Sequence, residues 1–199
     1  MLNFESAAFV RSAAGPEGFL KDGLAQIAFA GRSNVGKSSV INCLTRHGGL
    51  SRVSATPGKT AHVNYFALPD AGTKQTAAYL ADLPGYGFAR VSAAEKQRWA
   101  RLMEAYFADN AALRLVVVIV DVRHGPKQDD LDMFAFAKGR YPTLILANKA
   151  DKLRASERPP ALETLRRTLG TSEFLLFSAE TGEGRDSLRA ALQKVLKPE

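Results

Sequence analysis

The stretch from Leu24 to Arg46 constrains the fold more than any other part of this sequence. It opens with LAQIAFAG, an apolar run that predicts a buried strand ending at a glycine. The loop GRSNVGKSS follows, and apolar residues then recur at helical spacing in GKSSVINCLTR. The loop fits G-x-x-x-x-G-K-[ST] between a strand and a helix, which is the context that a phosphate-binding loop requires.

Each residue type in this loop has a physical role in holding phosphate. The glycines let the backbone curl so that successive N–H groups point inward, and the helix N-terminus adds positive potential. Lys37 would neutralise the β- and γ-phosphates, and the Ser38 hydroxyl would ligate Mg²⁺. The predicted phosphate-binding residues are Gly31, Arg32, Ser33, Asn34, Val35, Gly36, Lys37 and Ser38.

The rest of the chain continues to alternate between strand and helix patterns. This predicts an α/β fold with a mostly parallel central sheet, helices on both faces and one antiparallel hairpin, between AHVNYFAL and TAAYLADL. We expect residues 1–22 to form an N-terminal extension, with an added edge strand and a linker, and residues 23–199 to form one domain. Ligands bind such sheets beyond the carboxyl ends of the strands, so the loops at those ends are the candidate site.

Composition and charge bear on compartment and partners. The 199 residues include one cysteine, which excludes an intramolecular disulfide and fits a reducing compartment. No secretory signal opens the chain, and its longest uninterrupted apolar run is LVVVIV, so we expect a cytoplasmic protein with no membrane partner. The net charge of +7 is typical of nucleic-acid binders, although solvated lysines also explain it.

A second loop, DLPG, follows the predicted strand TAAYLAD. Asp82 could hold the magnesium through water, and the Gly85 N–H could meet a γ-phosphate, with Leu83 and Pro84 between them. The next residue, Tyr86, can neither abstract a proton at pH 7 nor orient water through an amide. We therefore predict that Tyr86 performs no chemistry and that its side chain turns away from the γ-phosphate.

A third loop, NKAD, has the chemistry to read guanine. The Asn148 amide can serve the O6 and N7 edge, and the Asp151 carboxylate can accept the N1–H and N2–H₂ donors that adenine lacks. Lys149 would lay its stem along the base, with Ala150 beside it. After the last strand, Phe177, Ser178 and Ala179 would complete the base pocket, Ser178 and Ala179 through backbone N–H groups.

The segment SATPGKTAH contains a candidate mobile loop that closes on magnesium. Thr60 could supply a second protein ligand, because its hydroxyl would help to complete the octahedron that Mg²⁺ demands. Thr56 is the competing candidate, and residue chemistry alone does not separate the two.

Taken in order, GRSNVGKSS, TPGKT, DLPGYGFA, DVRH and NKAD resemble the motifs of the EngB (YihA/YsxC) family of bacterial ribosome-biogenesis proteins, within the Era-like P-loop GTPases. The resemblance extends over almost the whole chain from about residue 4. It implies a single Ras-like GTPase (G) domain that binds and slowly hydrolyses GTP with Mg²⁺. It also implies a role in assembly of the large (50S) ribosomal subunit and a requirement for normal cell division and septation.

The resemblance also assigns residues by motif. The metal ligands fall on Ser38 and Thr60, and the residues implied in catalysis are Lys37, Thr60, Asp82 and Gly85. Ras-like enzymes place a water-orienting glutamine where this chain has Tyr86, so we expect slow turnover that rises on the ribosome. By resemblance, the first switch comprises Gly58, Lys59 and Thr60, and the second switch runs from Asp82 to Gly85. Ala61 and His62 are further implied nucleotide contacts.

Two other function classes share part of this pattern. A P-loop kinase for a small metabolite would have the first loop but no need for DLPG or NKAD, and it would form a phosphorylated acceptor from GTP. A binding module with a purely structural nucleotide would keep its cellular function after Lys37→Ala or Ser38→Asn. The favoured reading is a monomeric switch that contacts ribosomal RNA and proteins.

Two further hypotheses concern individual side chains. Asn34 could help to hold a K⁺ ion beside the phosphates and so stimulate hydrolysis. Basic residues near the second switch and on a later helix could contact RNA phosphates, although a solvated helix face also explains them. These basic candidates are Arg90, Lys96, Arg98, Arg101, Arg166 and Arg167.

Overall fold

The structure is a computed structural model that describes residues 1–51, 62–87, 92–108 and 110–196. Its strands are β1 (Ala8–Ala13), β2 (Ala25–Gly31), β3 (Val63–Pro69), β4 (Thr76–Asp82), β5 (Leu113–Asp121), β6 (Thr143–Asn148) and β7 (Phe174–Leu176). The α-helices of these residues are α1 (Lys37–Thr45), α2 (Ala93–Phe107), α3 (Gln128–Lys138), α4 (Arg158–Leu169) and α5 (Arg185–Val195).

The strands form a single seven-stranded sheet in the order β1-β3-β4-β2-β5-β6-β7. Strands β4, β2, β5, β6 and β7 run parallel, and β3 pairs with β4 in the expected antiparallel hairpin. The predicted α/β class, with its mostly parallel sheet, is therefore confirmed. The edge strand β1 adds a further antiparallel pairing, with β3.

Apolar residues cover both faces of the sheet, because the central strands are buried on either side. On one face, the sheet packs against side chains of α2, α3 and α4, including Met103 and Phe134. On the other face, it packs against α1 and α5, including Ile41 and Leu188. Strand β5 reads LVVVIV through its centre and is buried there, as its place between β2 and β6 inside the sheet requires.

The first residues of the chain are fixed by specific contacts. Asn3 caps a short 3₁₀ turn over Phe4–Ser6, and Phe4 is 3% exposed against the α1 face. The Asp70 carboxylate accepts a hydrogen bond from the amino terminus at 2.7 Å. The pKa of the Asp70 carboxyl lies well below its usual range, because that amino group and the backbone N–H groups of its turn stabilise the charge.

The parallel pairing brings the carboxyl ends of five strands to one edge of the sheet. Phe29 pairs with Asp82 across β2 and β4, and Asp121 pairs with Asn148 across β5 and β6. The loops that carry the sequence motifs leave the sheet at this edge, as the fold class predicts.

Candidate nucleotide-binding site

The phosphate loop turns sharply between β2 and α1. Gly36 precedes α1 with φ +95°, in the left-handed region that favours glycine. A Cβ at Gly36 would lie 2.7 Å from Asn148 Nδ2, so a larger residue there would clash with the NKAD loop, residues 148–151, which is called the guanine loop below. No side chain of the described residues caps the start of α1, which leaves its backbone N–H groups directed at the space where phosphate would bind.

Lys37 and Asp82 meet at the centre of this site. The Lys37 ammonium pairs with Asp82 Oδ1, and the Ser51 hydroxyl donates to Asp82 Oδ2 at 2.9 Å. Asp82 is 3% exposed at the end of β4, so its charge depends on these partners. Asn42 on α1 holds Ser51 in place, since its amide bonds both the backbone N–H and the carbonyl of that residue.

The donor set at this point fits a magnesium ion held largely by phosphate and water. Ser38 lies half-buried in the first turn of α1, and Asp82 supplies a carboxylate at the neighbouring strand end. Mg²⁺ usually takes one or two protein oxygens, together with substrate phosphates and waters. Accordingly, the described residues hold no cluster of three or more His, Cys, Asp or Glu side chains of the kind that encloses a metal.

The backbone after Asp82 runs along the phosphate loop. Leu83 N–H donates to the Phe29 carbonyl at 3.0 Å, and Tyr86 N–H donates to the Gly31 carbonyl at 3.3 Å. In return, the Ser33 N–H donates to the Tyr86 carbonyl at 2.9 Å. The second predicted switch is therefore closed onto the first loop.

The Tyr86 side chain lies away from this contact, within the core between α2 and α3. Its hydroxyl donates to Asp130 Oδ1 at 3.0 Å, and its ring packs edge-on against Trp99 at 6.4 Å. The Trp99 indole N–H in turn donates to the Pro84 carbonyl at 3.2 Å. Burial, followed by the nearby Asp130 carboxylate, raises the pKa of Tyr86 far above its ordinary value, so the phenol stays protonated.

The guanine loop is bonded to the phosphate loop at two points. Asn148 is 2% exposed, and its Nδ2 donates to the Val35 carbonyl at 3.0 Å. Because an amide nitrogen carries two hydrogens, one remains for the base. The Lys149 ammonium bonds the Asn34 carbonyl at 2.9 Å and pairs with Asp121 at 2.9 Å, which lays the lysine stem across the top of the site.

Asp151 is oriented by the loop after β7. The buried Ser178 hydroxyl donates to Asp151 Oδ1 at 2.7 Å and accepts the Thr181 N–H at 3.1 Å. The hydrogen bond from Ser178 lowers the pKa of Asp151, and the nearby Lys152 ammonium adds to this effect. The carboxylate is thus charged and fixed, as an acceptor for two guanine donors needs to be.

The backbone N–H groups of this last loop, which the sequence analysis assigned to the base, have partners within the protein. The Ser178 N–H donates to the Glu183 carbonyl at 3.0 Å, and the Ala179 N–H donates to Asn148 Oδ1 at 3.3 Å. The second bond ties this loop to the loop that follows β6. Phe177 is fully buried and accepts the Ala150 N–H through its carbonyl, which ties the two base loops together.

Several predicted site residues lie outside the described part of the chain. They are Thr56, Gly58, Lys59, Thr60, Ala61 and Arg90. His62 is described and is half-buried just before β3.

The structure adds Ser51, Asp121 and Asp130 to the site, which sequence reasoning did not assign. Asp121 carries a partial signal, because it ends the strongest strand and opens the DVRH motif. Ser51 and Asp130 carry none, since their roles depend on contacts with residues 31 and 44 positions away.

Comparison with known proteins assigns the family. The family described as "50S ribosome-binding GTPase" matches residues 26–149. The chain is 43% identical over 199 residues to a "Probable GTP-binding protein EngB" of Geobacillus sp. (strain WCH70), a match that covers 98% of this chain and 100% of that protein. The protein of the same name from Bacillus subtilis (strain 168) is 41% identical, with 94% and 95% covered.

The chain belongs to the EngB family of GTP-binding proteins. A crystal structure of a "probable GTP-binding protein engB" shares the fold with a TM-score of 0.67 and 25% identity, over 86% of this chain and 98% of that one. As an EngB, the chain binds guanine nucleotide, typically with Mg²⁺, and membership of the GTPase family supports GTP hydrolysis. None of the helices in the described ranges is both long and apolar enough to cross a membrane.

Proposed function

We propose that this EngB is a slow, Mg²⁺-dependent GTPase that acts as a switch during assembly of the 50S ribosomal subunit. The observation that carries the proposal is the convergence of the loops after β2, β4, β6 and β7. Lys37 pairs with Asp82, Ser178 bonds Asp151, and Asn148 joins these two groups through the Val35 carbonyl. The family description of a "50S ribosome-binding GTPase" supports the partner. On this proposal the protein acts in the cytoplasm as a monomer, and its loss impairs cell division and septation.

In the proposed site, residues 31–38 hold the phosphates, and Ser38 and Thr60 ligate Mg²⁺. A bound Mg²⁺ would neutralise charge that develops on the phosphates during hydrolysis. Lys37 would exchange Asp82 for phosphate oxygens, and Asp82 would then be free to accept from metal-bound water. Gly85 would offer its N–H to the third phosphate, while Asn148 and Asp151 read the base.

The direct test is co-sedimentation with ribosomal subunits in GDP, GTP and a non-hydrolysable GTP analogue. The proposal predicts binding to the large subunit with the triphosphates only, because the switch regions would present a different surface in that state. Equal binding in all three nucleotide states would contradict a switch, and binding to the small subunit alone would contradict the proposed partner.

Slow turnover follows from the placement of Tyr86. Its hydroxyl is fixed on Asp130, so a water-positioning group must come from the backbone, a cation or the ribosome. We expect Tyr86→Ala to keep measurable intrinsic hydrolysis while it still binds GTP. Complete loss of hydrolysis with intact GTP binding would instead make Tyr86 a catalytic residue.

Stimulation by K⁺ is a separate part of the proposal and rests on Asn34. This exposed residue has φ +65°, a conformation that asparagine tolerates. Asparagine at this position can therefore serve the backbone conformation, the K⁺ ion, or both. Asn34→Gly separates the two roles, because glycine keeps the conformation and removes the side-chain oxygen. We expect wild-type hydrolysis to be faster in K⁺ than in Na⁺ and Asn34→Gly to lose the difference, whereas equal wild-type rates would remove the idea.

A basic cleft beside α2 is the surface we propose for ribosomal RNA. It encloses about 510 Å³ between residues 14–16 and α2, and the exposed side chains of Gln97, Arg98 and Arg101 line it. Lys96 is exposed on the same helix. By contrast, Arg166 on α4 pairs with Glu163 at 3.4 Å and lies over the Phe174 ring, which favours α2 over Arg166.

Salt dependence tests this surface. Phosphate contacts release counterions, so removing two of them lowers the slope of log affinity against log salt by roughly 1.4 for single-stranded RNA. We expect Arg98→Ala/Arg101→Ala to reduce ribosome affinity and this slope, while the matched Arg166→Ala/Arg167→Ala variant changes them less. An unchanged slope in the α2 variant would exclude the cleft.

A further inference from the structure

We propose that Asp130 is a positioning residue of the second switch, which holds the Gly85–Tyr86 backbone against the phosphate loop and so favours GDP over GTP. Asp130 acts through the Tyr86 hydroxyl and lies on α3, outside the nucleotide motifs. The inference rests on the proposed GTPase switch and concerns which nucleotide state the free protein prefers.

The Tyr86–Asp130 contact is built as a fixed anchor. Tyr86 is 5% exposed and Asp130 is 3% exposed, so neither side chain has solvent as an alternative partner. While Asp130 Oδ1 accepts the phenol, Oδ2 accepts the Lys127 N–H at 2.9 Å at the start of α3. Both carboxylate oxygens are therefore used, and the phenol is tied to the end of a helix that packs on the sheet.

The same tyrosine closes the phosphate loop through its backbone. Its carbonyl accepts the Ser33 N–H at 2.9 Å, and its N–H bonds the Gly31 carbonyl. A phosphate loop holds phosphate with backbone N–H donors, and the closed switch occupies one of them. This contact lies next to Gly85, which in the proposed function meets the third phosphate, so GTP must displace the closed switch whereas GDP need not.

The chain after Tyr86 is packed closely in this conformation. Gly87 has φ +70°, and a Cβ there would lie 2.6 Å from Arg32 Nε and 2.7 Å from Asp129 Oδ2. The left-handed φ favours glycine, whereas the two neighbouring atoms end flexible side chains that can move aside. The backbone conformation that follows Tyr86 is therefore one that glycine adopts without strain.

Trp99 supplies a built-in reporter for this arrangement. It is the only tryptophan in the chain, it packs on the Tyr86 ring, and its indole N–H bonds the Pro84 carbonyl. If the second switch leaves the phosphate loop, the surroundings of the indole change. Its fluorescence should then differ between the GDP and triphosphate states.

The test uses Tyr86→Phe, which removes the hydroxyl and keeps the ring. Affinities for GDP and for a non-hydrolysable GTP analogue are measured by titration calorimetry on the full chain. Because the closed switch is weakened, we expect the preference for the analogue over GDP to rise by about fivefold or more, the usual size of a coupling between states. Asp130→Ala should shift the ratio in the same direction, because it removes the acceptor of the Tyr86 hydroxyl.

Tyr79→Phe is the matched control. Tyr79 also donates to a carboxylate, Asp22 Oδ2 at 2.6 Å, but the contact lies away from the phosphate loop. The Tyr79→Phe variant should change the ratio of the affinities for the analogue and GDP by less than about twofold. If Tyr86 and Asp130 act through one contact, the variant that changes both residues should shift the affinity ratio no further than the single variant with the larger shift.

Each result separates this inference from the proposed function. Failure of the wild-type chain to prefer guanine over adenine nucleotides would overturn the proposed function. Guanine nucleotide binding with an unchanged ratio in Tyr86→Phe, or with the same shift in Tyr79→Phe, would overturn the role of Asp130 alone. Wild-type Trp99 fluorescence that is identical with GDP and the analogue would also contradict the inference.

Discussion

The base-reading and phosphate-reading regions of this EngB are organised differently, although both lie at the same edge of the sheet. At the guanine loops, Asn148 and Lys149 bond phosphate-loop carbonyls, and Ser178 orients Asp151. These contacts use part of the bonding capacity of Asn148 and Asp151, and one Nδ2 hydrogen of Asn148 and further lone pairs of the Asp151 carboxylate remain for a base. On the phosphate side, Lys37 binds Asp82, and the Ser33 N–H binds Tyr86.

The difference indicates a division of work between the two regions. A pre-organised base pocket loses little conformational entropy when the nucleotide binds, so it would bind guanine in the same way in the GDP and GTP states. The phosphate side has its donors engaged within the protein, so a ligand changes the structure by replacing those contacts. We therefore propose that nucleotide identity and nucleotide state are read by different parts of the site.

The largest effect on stability is expected from Lys37→Ala, which removes the buried ion pair on the phosphate side. Removing the cation leaves the buried Asp82 carboxylate without a counter-ion and with only the Ser51 hydroxyl as partner, so the free energy of unfolding without nucleotide should fall by about 3 kcal/mol. Urea denaturation measures this directly. The matched control is Lys152→Ala, whose 56%-exposed side chain pairs with Asp151 and should contribute less than about 0.5 kcal/mol. Equal losses in the two variants would contradict the buried pairing.

Asp151→Asn should have the next largest effect, on the base side. The variant loses a charged acceptor for two guanine donors, so GDP affinity should fall by roughly 100-fold without a gain for ADP. Xanthosine diphosphate is the complementary ligand, because its 2-oxo group accepts where guanine donates. If Asp151→Asn bound GDP normally, or gained nothing for xanthosine diphosphate, the assigned base contact would be wrong.

Asp121→Asn tests the pre-organised base side, because it removes the carboxylate that pairs with the Lys149 ammonium. Although burial acts in the opposite direction, hydrogen bonds from Arg123 and Lys149 lower the pKa of Asp121 to about 2. A depressed folded pKa contributes stability above the unfolded value of about 3.9, and this contribution is lost as the pH falls toward 2.

Wild-type protein should therefore lose about 1–2 kcal/mol of unfolding free energy over that window through Asp121, and the asparagine variant should not. Urea midpoints between pH 5 and pH 3 measure the difference. Asp132→Asn, an exposed change on α3, is the control. Parallel pH profiles for wild type and Asp121→Asn would exclude the contribution.

The smallest effect is expected at the rim of the base pocket. Arg158 makes a two-pronged contact with Glu183, at 2.8 and 3.0 Å, but both side chains are about one-third exposed. Glu183→Gln should therefore cost less than about 1 kcal/mol by thermal denaturation and change GDP affinity by less than about threefold. A loss as large as that of Asp151→Asn would mean that the loop depends on this pair rather than on Ser178.

Local patterns predicted the fold and the position of the loops. The β-branched run of β5, the loop before α1 and the hairpin of β3 and β4 each carry their signal within a few residues. The face of α2 that carries Leu102, Met103 and Tyr106 is likewise buried, at the spacing of an amphipathic helix. These elements follow from hydrophobic periodicity, which does not depend on distant residues.

The connections between those elements could not be predicted in the same way. The hydroxyl of Tyr86 reaches Asp130, 44 residues further along the chain, and no local pattern marks either residue as a partner of the other. Phe4 likewise packs in the α1 cluster, with residues such as Ile41 that lie more than 30 positions further along the chain. Motifs therefore locate the groups that face a nucleotide, while long-range packing decides how those groups are held.

Hydrogen–deuterium exchange in the GDP and non-hydrolysable triphosphate states tests the central claim most directly. Peptides that cover residues 82–87 should differ in protection between the two states, because the third phosphate replaces the contact between Ser33 and Tyr86. Peptides that cover residues 148–151 and 177–179 should be equally protected in both. Equal protection of residues 82–87 in both states, or a change confined to the guanine loops, would contradict the division of work between the two regions.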